Sequence, residues 1–404
     1  MAKHDVIVVG LGAVGAAATC HLARRGAKVL GIDRFSPPHI YGSSHGDTRI
    51  TRTAIGEGVE FSQLALRSHA LWRELESETG TTLFVRNGCL TIASEGAVVM
   101  HDVDDFFDNS LKAARTFGIP HQTFDNGAAI RARYPQFAAR DSDRAMLDEE
   151  AGYVIPEACV AAQLEGAAQA GAQILTDTRV VDIEPSAAGV TVTTADGGRH
   201  GADRVLIAAG AWLPRFVAAE LSDLFTVTRQ VLYWFEIARN AERFRPENCP
   251  GFIWLVPQTG DVKSDLYGFP AADPAEGVKV SHEETGPVTD PDDVNRAVDA
   301  DDTARMYDTY IAPFLPDLGP RCLRTETCLY TRVPRSRFVI DKDPRSERIV
   351  FASACSGHGF KHSAALGEAL ADELAIGEAR HVDLEPFRLA RLREYVRGKE
   401  NHGT

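Results

Sequence analysis

The 404 residues are too many for one hydrophobic core and predict two or three domains. With 44% apolar and 25% charged residues the chain reads as an ordinary globular protein, and no run approaches the ~20 uncharged apolar residues of a membrane span. Acidic residues outnumber basic ones, 57 to 43, and the formal net charge of −14 argues against nucleic acid as a partner. A small anion held by a few clustered cations stays compatible with that balance.

Residues 5–9 (Asp-Val-Ile-Val-Val) form the short apolar run of a buried parallel strand. Gly10-Leu11-Gly12-Ala13-Val14-Gly15 follows, then an alanine-rich helix to about Arg25, then a second strand from Lys28 to Ile32 that closes on Asp33. Lys3, the apolar run and Ala18-Thr19-Cys20 have the outline of a lipoprotein signal, but Asp5 and the glycine pattern favour a folded βαβ start. A helix is expected over Glu60–Thr79, strands over Leu83–Ala93, and a helical region over Val99–Phe117. A second strand-rich block covers Ile174–Ile183, Gly189–Thr194 and Arg204–Ala209. From Phe225 to Cys322 aromatics and prolines dominate, with strands expected at Val231–Ile237, Phe252–Val256 and Gly277–Ser281. The C-terminal part returns to strand (Ile349–Ser353), glycine turn (Gly357-His358-Gly359) and helix (Ala364–Ile376).

The seven cysteines are scattered, with no CxxC pair, so neither a metal site nor a disulfide framework is expected. That usage fits a reducing, cytoplasmic setting.

A lone GxGxxG is a weak signal, but here a buried strand precedes it, a helix follows, and an acidic residue lies 18 positions beyond Gly15. Gly10 permits the turn, Gly12 lets backbone approach a pyrophosphate, and Gly15 lets helix and strand pack closely. The helix start offers free N–H groups to the diphosphate, and Asp33 offers acceptors to ribose hydroxyls. The late strand Arg204–Ala209 ending in Gly210-Ala211-Trp212 favours FAD over a nicotinamide cofactor, because it recurs in glutathione-reductase-like folds.

The stretch Gly42-Ser43-Ser44-His45-Gly46-Asp47-Thr48-Arg49-Ile50-Thr51-Arg52 sets small residues beside one histidine and two arginines. It suits contact with a large anionic cofactor, and a solvated loop is the plain alternative. Arg49 and Arg52 would share a face if they sat on one helical turn. With Gly56-Glu57-Gly58, Arg229-Gln230-Val231, Cys328-Leu329-Tyr330-Thr331, Phe338-Val339-Ile340-Asp341 and Ser356-Gly357-His358-Gly359-Phe360-Lys361, this stretch resembles the monomeric sarcosine oxidase and N-methyltryptophan oxidase family, in order and over nearly the whole chain.

The resemblance implies an α/β (α+β) architecture: a glutathione-reductase-like FAD-binding Rossmann domain from residues 1–82, 145–222 and 325–390, with an inserted mixed-sheet substrate domain from 83–144 and 223–324. It implies FAD attached covalently through Cys328, with Ser43, Ser44, Thr48, Val180, Gly357, His358 and Gly359 also at the cofactor. Arg52 and Lys361 match the pair that holds the substrate carboxylate, with Tyr267 and Trp254 beside the substrate. Lys279 matches the lysine that promotes reaction with oxygen; by strand alternation alone it could face solvent. His45, Arg49 and Tyr330 are expected to flank the flavin or the substrate.

The chain also departs from the family. Where sarcosine oxidase has a histidine four residues after that lysine, this chain has Glu283, preceded by His282. A negative Glu283 pointing inward would disfavour a simple carboxylate substrate. Tyr233, Trp234, Phe235 and Trp254 could widen the pocket or simply fill a core. The expectation is a monomeric oxidase of a secondary amine or N-methyl amino acid that yields an imine and hydrogen peroxide. The alternatives are a cyclic, bulkier or glycated substrate, a non-oxygen acceptor, or a non-catalytic FAD scaffold.

Overall fold

The computed structural model describes residues 3–97, 99–257, 265–283 and 286–400. The chain opens with β1 (Lys3–Val9), α1 (Ala13–Arg24) and β2 (Val29–Ile32), and the two strands pair in parallel. Val6–Val9 of β1 and the whole of β2 are buried, as their apolar sequence requires. At Gly15 helix and strand meet so closely that a Cβ there would stand 1.8 Å from the Gly10 carbonyl oxygen.

Two eight-stranded sheets carry the molecule. In the first, the strand Arg199–Ile207 lies parallel to β1 on one side. Its other edge takes Gly189–Thr194 along its first half, antiparallel, and Ser346–Ser353 along its second half, parallel. Helices α1, α2 (Val59–Thr79) and Ser363–Ile376 contribute to a core that includes Val6, Val8, Leu206 and Val350 of this sheet. The second sheet runs in the order Leu318–Arg332, Thr226–Ile237, Val278–His282, Leu266–Gly268, Gly251–Leu255, Cys89–Ala93, Arg144–Asp148, His121–Phe124. Only Gly251–Leu255 against Cys89–Ala93 is parallel there, so the sheet is mixed. A small third sheet joins β3 (Arg49–Thr51) to Gly152–Val154 and Phe84–Val85.

Sheet membership moves two of the expected boundaries. Arg144–Asp148 belongs to the second sheet, so residues 145–148 leave the nucleotide segment. Leu318–Arg332 is one continuous strand paired to Thr226–Ile237, which carries Cys328 on the second sheet rather than in the nucleotide domain. From Thr226↔Arg332 to Trp234↔Arg324 the pairing keeps one register, so the strand does not change sheets at residue 325.

Other expectations shift for local reasons. Arg49 lies in a strand, so Arg49 and Arg52 do not share a helical face. The helix expected from Val99 starts at Phe106 instead (α3, Phe106–Phe117), because His101, Asp102 and Asp105 have positive φ. Tyr233 and Phe235 are core residues of the second sheet.

Candidate active site

A cavity of about 330 Å³ begins at Gly10, Gly12 and Asp33 and ends among Arg52, His101, Glu283 and Lys361. At the first end Asp33 accepts from the backbone N–H groups of Leu11 (2.7 Å) and Phe35 (2.8 Å). Ser44 Oγ accepts from Ala13 N at 3.2 Å, just inside the start of α1. Val180 and Ser43 also line this wall. Carboxylate acceptors beside an open helix N-terminus, with no side chain on Gly12, fit the ribose and diphosphate of FAD.

In the middle of the cavity stands Cys328. Strand alternation puts Glu326, Cys328 and Tyr330 on one face, and Cys328 and Tyr330 both reach the cavity. Arg49 Nη2 donates toward Cys328 Sγ at 3.6 Å and to the Ser43 carbonyl at 3.1 Å. His45 Nδ1 meets Glu326 Oε2 at 3.1 Å. Burial raises the Cys328 thiol, but His45, Arg49 and Lys279 together draw it down to about 7. Burial instead pushes Cys20, Cys89, Cys159, Cys249, Cys322 and Cys355 up, so one cysteine of the seven is set toward its thiolate. That contrast suits a residue that must act as a nucleophile.

Lys279 does not line the cavity; it sits one layer behind Arg49 and Phe269. It is 3% exposed, which rules out the solvated strand face. Its Nζ donates to the carbonyls of Gly46 (2.6 Å) and Thr48 (2.7 Å) and to Thr48 Oγ1 (3.2 Å). Phe269 and Trp234 present ring faces to it at 4.6 and 5.5 Å. Burial and Arg49 push its ammonium well below the usual lysine value, while the carbonyls and the rings favour the charge. Thr48, expected at the cofactor, therefore gives its oxygens to Lys279 and lies outside the cavity wall. His45 likewise stands behind Cys328 rather than in the wall.

The far end is a field of buried charges. Arg52 donates from Nη2 to both Glu57 oxygens at 2.8 Å and from Nη1 to the Ala54 carbonyl at 3.0 Å. Its Nε, also buried, has no partner. Despite burial, Arg52 and His101 hold the Glu57 carboxyl well below the usual range. Lys361, from the turn Phe360–His362, donates to the His358 carbonyl at 2.7 Å. Burial and Arg52 lower its ammonium, against Glu57 and Glu283, to about 7. His358 Nε2 donates to the Ser336 carbonyl at 2.8 Å, in the tautomer that places its proton there, and burial with Lys361 keeps the ring neutral. Tyr267 and Tyr330 face each other with their hydroxyls 3.5 Å apart, and burial pushes both phenols up.

Trp254, expected beside the substrate, is a core residue instead. It is fully buried, donates from Nε1 to Ser94 Oγ at 3.1 Å and packs on Phe314 at 4.9 Å. The period of two explains it: Ile253 pairs with Tyr267 and faces the cavity, so Trp254 points the other way.

Two site residues escaped sequence reasoning. Glu57 lay inside a quoted motif but was given no role. His101 lay in a stretch read as helix. His101 Nδ1 meets Glu57 Oε1 at 3.0 Å, and its Nε2 lies 3.4 Å from Glu283 Oε2. Burial lowers its imidazolium, yet Glu283 and Glu57 push it up to about 9. Glu283 therefore has a counter-cation, which removes the argument that its charge must exclude a carboxylate substrate.

A Rossmann-type βαβ start and a cavity running from it to a second mixed sheet define a flavin-dependent enzyme. The chain belongs to the family of FAD dependent oxidoreductases, whose pattern it matches over residues 5–373. Among its relatives it is 36% identical to monomeric sarcosine oxidase of Streptomyces avermitilis over 391 residues, covering 96% of this chain and 98% of that one. It is 34% identical to N-methyl-L-tryptophan oxidase of Yersinia pestis, covering 96% and 100%. In fold it is similar to NikD, an amino acid oxidase of nikkomycin biosynthesis, with TM-score 0.81 at 23% identity, covering 96% and 98%.

Proposed function

We propose that this enzyme oxidises the C–N bond of a secondary α-amino acid of the N-methyl type, using oxygen and releasing hydrogen peroxide, with FAD held covalently through Cys328. The carrying observation is one cavity that joins a wall cysteine poised near pH 7 to a buried cationic end at Arg52 and Lys361. The names of the relatives, for sarcosine and N-methyl-L-tryptophan, point the same way.

When bound, FAD supplies the two-electron acceptor for the substrate's amine carbon. The chain's own residues do the rest. Lys361 and Arg52 bind and orient the carboxylate, each charge-assisted bond contributing roughly 1.5–3 kcal/mol. The neutral phenols of Tyr267 and Tyr330 border the amine, and the buried walls exclude water that would compete for the charged groups. Arg49 and His45 favour the Cys328 thiolate. Lys279, behind Arg49 and Phe269, places positive charge where negative charge develops as oxygen is reduced.

A panel of N-methyl, cyclic and glycated amino acids, scored by anaerobic bleaching of the yellow colour, its return in air and peroxide release, tests the reading. The N-methyl compounds are expected to lead. Acid-precipitated protein should stay yellow, and Cys328→Ser should release the colour to the supernatant. Bleaching by no amino acid would overturn the activity; colour already soluble in the wild-type protein would overturn the covalent link.

A further inference from the structure

Glu283 follows the strand Val278–His282, and its N–H donates to the Asp265 carbonyl at 2.8 Å. Its side chain is 12% exposed and lines the cavity. A Cβ built on Gly357 would stand 3.4 Å from Glu283 Oε2 and 3.0 Å from the Tyr330 ring, so Glu283 reaches the narrow part of the cavity beside Tyr330. Its charge helps to raise both cavity phenols, Tyr267 and Tyr330. Behind it lies His101, stacked on His358 with ring centroids 4.9 Å apart and held by Glu57. The Arg52 Nε, buried in the same cavity end, has no hydrogen-bond partner.

The substrate end thus has two signs. Arg52 and Lys361 offer donors and positive charge; Glu283 offers an acceptor and negative charge, compensated from behind by His101. We propose that Glu283 anchors the ammonium of the substrate, so that the enzyme takes a secondary amino acid as its zwitterion, carboxylate toward Lys361 and Arg52 and N–H toward Glu283. This rests on the amino-acid reading above and specifies the form bound; the ammonium passes one proton to the Glu283 carboxylate before the C–H bond breaks, because only the neutral amine has the lone pair that becomes the imine. Among buried residues an ammonium without a counter-charge is costly to desolvate, whereas opposite Glu283 it replaces lost water with a charge-assisted bond. An acid of the same shape with an uncharged heteroatom gains nothing from Glu283.

Two probes separate these cases in the holoenzyme. N-Methylglycine carries an ammonium at neutral pH; methylthioacetate has the same outline with a sulfur that bears neither charge nor proton. The Kd of the first comes from saturation of the anaerobic bleaching rate, and that of the second from the spectral shift of the bound flavin. Glu283→Gln is expected to weaken N-methylglycine about tenfold or more while leaving methylthioacetate within about twofold. Glu283→Asp, which keeps the charge, should hold both probes within about threefold. If Glu283→Gln fails to retain FAD, Glu283→His carries the same comparison with the sign reversed: the amino acid weakens and the thioether acid tightens. Equal weakening of both probes, or an unaffected amino acid, overturns the inference while leaving the activity intact. Wild-type protein that no N-methyl amino acid bleaches overturns the activity, and this inference with it.

Discussion

At the Gly10–Asp33 end of the cavity, the polar work is done by backbone groups and by carboxylate or hydroxyl groups bound to backbone: Leu11 N and Phe35 N on Asp33, Ala13 N on Ser44. At the other end it is done by side chains from distant parts of the chain: Arg52, Glu57, His101, Glu283 and Lys361. The first end is defined chiefly by shape, so it should fail when a Cβ is added. The second is defined by balance among buried charges, so it tolerates small changes of volume and fails when one charge is removed.

The largest effect should come from adding volume at the shape-defined end. Gly15→Val places carbon against the Gly10 carbonyl oxygen, where even the first added atom would stand at 1.8 Å. Protein purified with this change is expected to hold no FAD by absorbance, and a normally yellow variant would show that backbone shape does not define this end.

Next comes the charge behind the wall. Lys279→Met should slow the return of colour in air about a hundredfold, because one positioned charge in a partly desolvated site contributes ~3 kcal/mol. Anaerobic bleaching by the amine should change far less, and stopped-flow mixing resolves the two. Unaltered return in air would leave Lys279 a purely structural residue that ties Gly46 and Thr48 to the second sheet.

At the charge-defined end, Lys361→Ala and Arg52→Ala should each raise the Kd for an amino-acid substrate roughly tenfold to a hundredfold, as expected for loss of a charge-assisted hydrogen bond. Arg52→Ala should also lower Tm, since it leaves Glu57 buried without its bidentate partner; loss of one member of such a pair costs about 3–5 kcal/mol. If Arg52→Ala changes neither Kd nor Tm, the two ends do not differ in the way described.

The smallest effect is a pH dependence. Lys361 is held near 7, below its ordinary value, so its positive charge is present below that pH and lost above it. Substrate affinity should therefore be flat below about pH 7 and weaken above it, by up to about tenfold per pH unit, until the pKa of the bound state is reached. The effect should vanish in Lys361→Met. Affinity that strengthens with pH would mean the carboxylate is not bound to the Lys361 ammonium.

These differences also explain what could be read in advance. The βαβ start, the strands Gly189–Thr194 and Phe252–Val256 and the helix Ser363–Ile376 were legible because burial leaves a local pattern: apolar runs, alternation and glycine punctuation. The Cys328, Arg49 and Lys361 motifs were legible because they sit in short stretches with an identifiable family likeness. Trp254 was misplaced because neither aromatic character nor strand propensity says which face of a strand meets a cavity. His101 was invisible because its positive φ delays the start of the expected helix and its partners Glu57, Glu283 and His358 lie 44, 182 and 257 positions away in the sequence.

Sequence alone determined the nucleotide end of this protein, because a strand, a glycine turn and a helix start are contiguous and the side chains of Asp33 and Ser44 bond to backbone N–H groups within about 30 residues. It also determined which cysteine and which cations to consider. Only the tertiary structure decided that Cys328 rides on the second sheet, that its thiol alone is drawn downward, that Lys279 is buried, and that Glu283 has a histidine behind it. Each of those depends on burial and on charge at distances of a few ångströms between residues hundreds of positions apart, and electrostatics of that kind is set by packing rather than by any local pattern.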